Sequence, residues 1–148
     1  MINEKLTILI DLSKQVAWEN RKLQEKLGIK DHLDIIQWMS DFCTIRLNVG
    51  RSVGISSYII DNAMAFDLVI VPTEEIRRFY IFMGHDEIHI HTLRSLHSSK
   101  KGRSFGNCSY VYVDDYSDVF SNEKLLIHGL YRVFEKYESL PMFMFLGK

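Results

Sequence analysis

The sequence predicts an α/β fold: a three-layer, open, mostly parallel sheet of about five strands flanked by helices, with N-terminal helices ahead of it. Three observations predict it. A length of 148 residues suits one domain with a sizeable core, and 47% apolar with 25% charged residues is ordinary globular usage. Short apolar runs recur at residues 43–49, 68–71, 88–93, 110–113 and 142–146, the pattern of strands buried on both faces. Helical stretches at 56–65, 74–83 and 123–137 separate them, and this alternation is what crossover connections of a parallel sheet require.

Ahead of the sheet, Ile2, Leu6, Leu9, Val16, Leu23 and Leu27 recur at helical spacing, which predicts a helix over 2–27 with these residues on its core face, stopped by Gly28. A second helix over 32–39 is expected behind an Asp31 cap. The whole reads as one domain, residues 1–41 forming a helical cover and 42–148 the α/β core. Within 88–93, alternation of His89 and His91 with apolar neighbours predicts a strand with one wet face. Residues 94–107, rich in Ser, Gly and cations, read as a mobile loop.

A formal charge of -1 gives no global pull toward nucleic acid or an anionic membrane. No run approaches the about 20 apolar residues of a membrane span, and the amphipathic start is unlike a secretory leader, so the expectation is a cytoplasmic protein with no membrane partner. Cys43 and Cys108 fall in or beside strands and read as buried apolar fillers.

Chemistry concentrates in three segments. The first is Cys43-Thr-Ile-Arg-Leu-Asn-Val-Gly-Arg-Ser-Val-Gly-Ile-Ser-Ser, a strand entering a glycine turn that opens a helix. Glycines let such a turn curl so that backbone N–H groups and the positive end of the helix face an anion. The phosphate-loop motif wants Lys then Ser or Thr after its last glycine; here Ile55 and Ser56 follow Gly54, and Val49 stands where the first glycine belongs, one place before Gly50. The second segment, residues 67–75, is an apolar strand leading through Pro72-Thr73 into a helix. The third, Ser109-Tyr-Val-Tyr-Val-Asp-Asp, delivers Asp114 and Asp115 at a strand's C-terminal end, where open α/β sheets bind ligands. A turn ahead of a helix is the plainer reading of those two acids.

Together these segments resemble the P-loop NTPase fold, in particular the ATPase core of viral large terminase subunits and helicase-like proteins, with a degenerate Walker A loop and a Walker B strand. The resemblance covers residues 42–147. It implies a nucleotide site at Gly50, Arg51, Ser52, Val53, Gly54, Ile55, Ser56 and Ser57, with ATP and Mg²⁺ as its cofactors. It further implies that Ser56 and Asp114 hold the metal, that Asp114 and Asp115 are the catalytic acids, and that Arg51 stands in for the missing lysine. Arg46 is the other local cation. Ile55 cannot neutralise a phosphate, so the expectation is a nucleotide-binding or pseudo-ATPase interaction or regulatory protein, viral in origin and resident in host cytoplasm, with a protein partner or a second copy. Alternatives are an active Mg²⁺-dependent ATPase using Arg51, and a non-enzymatic nucleic-acid-binding module using Arg94, Lys100, Lys101 and Arg103. His85, Asp86, Glu87, His89 and His91 could ligate a metal; a solvated strand edge is the duller reading. Arg77, Arg78 and Arg132 read as helix-surface residues.

Overall fold

A computed structural model describes residues 3–50, 54–99, 108–121 and 123–147. In chain order the elements are α1 (Glu4–Lys26), α2 (Ile35–Phe42), β1 (Thr44–Asn48), α3 (Ile55–Asn62), β2 (Leu68–Ile70), α4 (Glu74–Phe82), β3 (Ile90–His91), α5 (Leu93–Ser99), β4 (Tyr110–Asp114), α6 (Tyr116–Phe120), α7 (Lys124–Phe134) and β5 (Met142–Gly147). The strands form one five-stranded sheet in the order β1-β5-β4-β2-β3, and every neighbouring pair is parallel. β4 and β5 are buried along almost their whole length, which is why their sequences read as unbroken apolar runs.

Alternate strand residues feed two cores. Val111, Val113, Phe143 and Phe145 pack with Trp38 and Met39 of α2, Leu96 of α5, Val119 and Phe120 of α6 and Leu130 and Phe134 of α7. Tyr112, Met142, Met144 and Leu146 pack on the other face with Leu6 and Ile10 of α1, Ile55, Tyr58 and Ile59 of α3 and Tyr80 of α4. Connections running from β1 toward β3 therefore use one face, and those running back use the other. A single handedness of crossover demands this division. The glycine loop after β1 and the acidic end of β4 consequently lie at the same end of the sheet, separated only by β5.

Several boundaries differ from the sequence reading. The second helix begins at Ile35 rather than residue 32, because Asp34, not Asp31, caps it by accepting from the Gln37 N–H at 3.0 Å while residues 29–32 form a 3-10 turn. The strand expected over 88–93 shrinks to Ile90–His91, both buried, and its wet face does not exist. Residues 93–99 are helical rather than loop; residues 100–107 lie outside the described residues.

The largest correction concerns α1. Leu9, Val16, Leu23 and Leu27, expected in the core, are 42%, 57%, 50% and 63% exposed, whereas Leu6 and Ile10 are buried. The docked face is completed by residues with polar ends. Trp18 Nε1 donates to the Tyr110 hydroxyl at 2.8 Å, Lys14 Nζ donates to the Tyr112 hydroxyl among three tyrosine rings, and buried Arg21 donates to the Leu140 and Pro141 carbonyls at 2.8 and 3.2 Å. Long amphipathic side chains bury their stems and rings while their heads find acceptors, so a face made of them escapes an apolar count. Both cysteines are buried and free, as expected, and burial pushes their thiols up, Cys43 to about 11 and Cys108 to about 12.

Candidate functional site

Asp114 closes β4 opposite Leu146, in a register that sets the tips of β4, β5 and β1 level. Beyond β1, Gly50 and Gly54 take φ of 91° and 96°, left-handed values that glycine adopts without a Cβ clash, and Gly54 begins α3 with no side-chain cap. The Tyr58 N–H returns to the Gly54 carbonyl at 2.8 Å, closing the first turn. Arg51, Ser52 and Val53, expected to contact phosphate, lie outside the described residues.

Ser56, in that first turn, donates its hydroxyl to Asp114 Oδ2 at 2.6 Å. The Tyr80 hydroxyl of α4 donates to the same oxygen, also at 2.6 Å. Asp114 is 3% exposed and Tyr80 fully buried, so one buried carboxylate oxygen ties α3, α4 and β4 together. Hydroxyl-to-carboxylate bonds this short belong to the strong, charge-assisted class. Burial, with the Asp114 charge second, pushes the Tyr80 hydroxyl well above its ordinary value, so Tyr80 remains a donor at neutral pH.

A carboxylate and a hydroxyl at bonding distance are hard oxygen donors, the kind Mg²⁺ accepts when ligand phosphates and water supply its remaining positions. Among the described residues no group of three His, Cys, Asp or Glu side chains could enclose a metal, so Ser56 and Asp114 would need ligand oxygens and water to complete a cation's shell. The pair fits that role. Asp115 follows in the left-handed region at φ 58°, 8% exposed, and its carbonyl accepts from the Asp118 and Val119 N–H groups, so it also starts α6. Asp114 thus ends the strand and Asp115 opens the helix, as the plainer reading of these acids expects.

Ile55 stands directly after Gly54. Its side chain is 5% exposed and packs in the core beside Tyr58 and Ile59, so it fills the sheet–helix interface and offers a ligand nothing but its backbone. Ser57 is half-buried in the same turn. Arg46 turns to the other face, where it donates to the Ser40 carbonyl at 3.2 Å and lies 5.5 Å from the Phe145 ring. At the end of β5, Gly147 accepts the Val49 N–H at 3.3 Å, and a Cβ there would sit 2.6 Å from the Tyr116 ring.

The other expectations disperse. His85 bonds the Ile60 carbonyl at 2.8 Å, His89 sits in a short 3-10 turn, and buried His91 bridges the Ser95 hydroxyl at 2.9 Å and the Ile88 carbonyl at 2.8 Å. They form neither a shared ligand face nor a solvated strand edge. Arg94 is exposed on α5 rather than in a loop, and Lys100, Lys101 and Arg103 lie outside the described residues. Arg77, expected on a helix surface, fastens α4 to the sheet edge by donating to the Ile90 and Glu87 carbonyls at 2.6 and 3.0 Å. Tyr80 is the residue that sequence reasoning missed. Its partner is 34 positions away, and a tyrosine in an amphipathic helix looks like any other core aromatic. Thr73 does cap α4, accepting from the Ile76 N–H at 3.2 Å, as the Pro-Thr pair suggested.

Compared with protein-family models, curated proteins and solved structures, the chain matches none.

Proposed function

We propose that this protein is a P-loop-type nucleotide-binding protein, related in plan to terminase and helicase ATPase cores, whose hydrolytic activity is weak or lost. The observation that carries the reading is the 2.6 Å contact between Ser56, in the turn that follows a glycine loop, and Asp114, at the tip of a strand two places away in the sheet. The sequence pattern required those residues to meet if one was to hold a nucleotide's metal ion and the other to steady it. The left-handed conformations of Gly50 and Gly54 suit the glycine positions of a phosphate loop.

The case against strong catalysis also rests on packing. An ATP γ-phosphate needs a cation beside it, and the place after Gly54 is filled by an isoleucine committed to the core. Asp114 would orient the metal-bearing end of the nucleotide, Ser56 would supply a metal oxygen, and Asp115 would face the water. Mg²⁺, when bound, supplies charge neutralisation at the phosphates. The nucleotide thus serves as a ligand that stabilises one shape of the protein for a partner.

Equilibrium binding of a fluorescent ATP analogue, with phosphate release followed in parallel, tests this. Binding in the micromolar range with release no faster than the buffer control is the expected pair of results. Release well above that control would favour the active-ATPase alternative, and absence of binding would remove the nucleotide reading altogether.

A further inference from the structure

We propose that a second site, the cleft between α2 and α7 at the β1 edge of the sheet, binds a small ligand through a phosphate group. The cleft has a volume of about 740 Å³, within the size range of small-molecule sites. Its charged lining comprises Arg46, Lys124, His128 and Arg132, with Asp34 as the acid. Lys124, His128 and Arg132 recur every fourth residue and so share one side of α7. Arg46 faces them from β1.

Arg46 is prepared for a ligand. One terminal nitrogen donates to the Ser40 carbonyl at 3.2 Å, the other to the Ser40 and Tyr131 hydroxyls at 3.3 and 3.5 Å, and the Phe145 ring lies 5.5 Å from the guanidinium. It nonetheless stays exposed. A guanidinium held in place beforehand loses little freedom when it grips an oxyanion, and its planar fork matches phosphate oxygens. Asp34 already accepts the Gln37 N–H at 3.0 Å as the α2 cap. Three formal cations against one engaged carboxylate leave an excess that suits a dianion better than a lone carboxylate. A phosphate monoester carries about -1.5 to -2 near neutral pH. Glu135 approaches Arg132 only to 3.8 Å, and the Arg132 side chain is 63% exposed, where such a pair competes weakly. The helices that form this cleft pack on the Phe143 and Phe145 face, whereas Ser56 rises from the helix on the opposite face, so the two sites are separable by mutation.

Calorimetric titration of the whole protein with inorganic pyrophosphate, in the absence of Mg²⁺, tests the proposal. Saturable binding is expected, weakened at least tenfold by Lys124→Glu with Arg132→Glu, weakened also by Arg46→Lys at unchanged formal charge, and unchanged by Ser56→Ala. Lys124 and Arg132 are exposed, so the paired variant should unfold at the native temperature, and the His128 ring signals should move during an NMR titration of the native protein. Absence of saturable binding would overturn the site, as would binding kept undiminished in the paired variant, whatever Ser56→Ala does. A single-stranded oligonucleotide that binds through the same residues more tightly than pyrophosphate would reassign the cleft to a nucleic-acid backbone and equally overturn the small-ligand proposal.

Discussion

Asp114 is the residue on which the site turns, because two hydroxyl donors from two helices converge on one of its oxygens. Removing a donor from a buried carboxylate leaves desolvation uncompensated, so Tyr80→Phe should cost about 1 to 3 kcal/mol of stability, read from denaturant unfolding, with no loss of nucleotide affinity beyond that. Ile55→Lys looks at first like a repair of the phosphate loop. Because Ile55 is 5% exposed in the core, the ammonium must be desolvated or the helix must shift, and roughly 2 to 4 kcal/mol of stability should be lost in thermal unfolding. A rise in stability without nucleotide would show that the side chain is not committed to packing. Gly147→Ala places a Cβ 2.6 Å from the Tyr116 ring and should cost about 1 to 3 kcal/mol through displacement of that ring. Of these residues, the acids, the glycines and Ser56 were legible in the sequence, since each sits beside a strand end or turn that the local pattern marks. Tyr80 and Arg46 were not, because what they do depends on partners brought close only by the sheet.

At the scale of elements, the strands with apolar residues on both faces were legible, whereas the strand at Ile90–His91 was placed but drawn too long, for a run of two carries no period to mark its ends. The first helix illustrates how periodicity can mislead: a count of aliphatic residues selects the outward face with Leu9, Val16, Leu23 and Leu27, while the inward face is held by Lys14, Trp18 and Arg21. The structure therefore predicts opposite outcomes for two neighbouring truncations. Ile10→Ala, at a fully buried position, should cost about 2 to 5 kcal/mol, whereas Leu12→Ala, at 56% exposure, should stay within about 0.5 kcal/mol. Chemical denaturation of the two variants measures both. Equal losses would mean that the outer face is covered.

Across the whole molecule, a five-stranded parallel sheet with helices on both faces places the glycine loop and Asp114 at one end, and no helix among the described residues is long and apolar enough to cross a membrane. Its buried ionisable groups predict alkaline sensitivity. Burial raises Tyr58, Tyr80, Tyr112 and Tyr131 above 10.0, and Cys43 and Cys108 from 9.0 to about 11 and about 12, so the folded state keeps protons that the unfolded chain releases. Stability from these groups is fully present below about pH 9 and is lost as pH climbs through the raised values. Lys14, lowered by burial, acts in the opposite sense over the same range but stands alone against these six and Tyr110, which burial also raises. Unfolding midpoints recorded from pH 8 to 11 should fall steadily once pH passes about 9. The proposed function has Ser56 and Asp114 meet in order to share a nucleotide's metal ion. Its most direct test is calorimetric titration with ATP, with and without Mg²⁺, for the native protein and for Asp114→Ala. Binding that Mg²⁺ strengthens in the native protein, with that strengthening reduced at least tenfold in the variant, is the predicted result, a loss of about 1.4 kcal/mol. ATP affinity indifferent to both Mg²⁺ and Asp114 would contradict it.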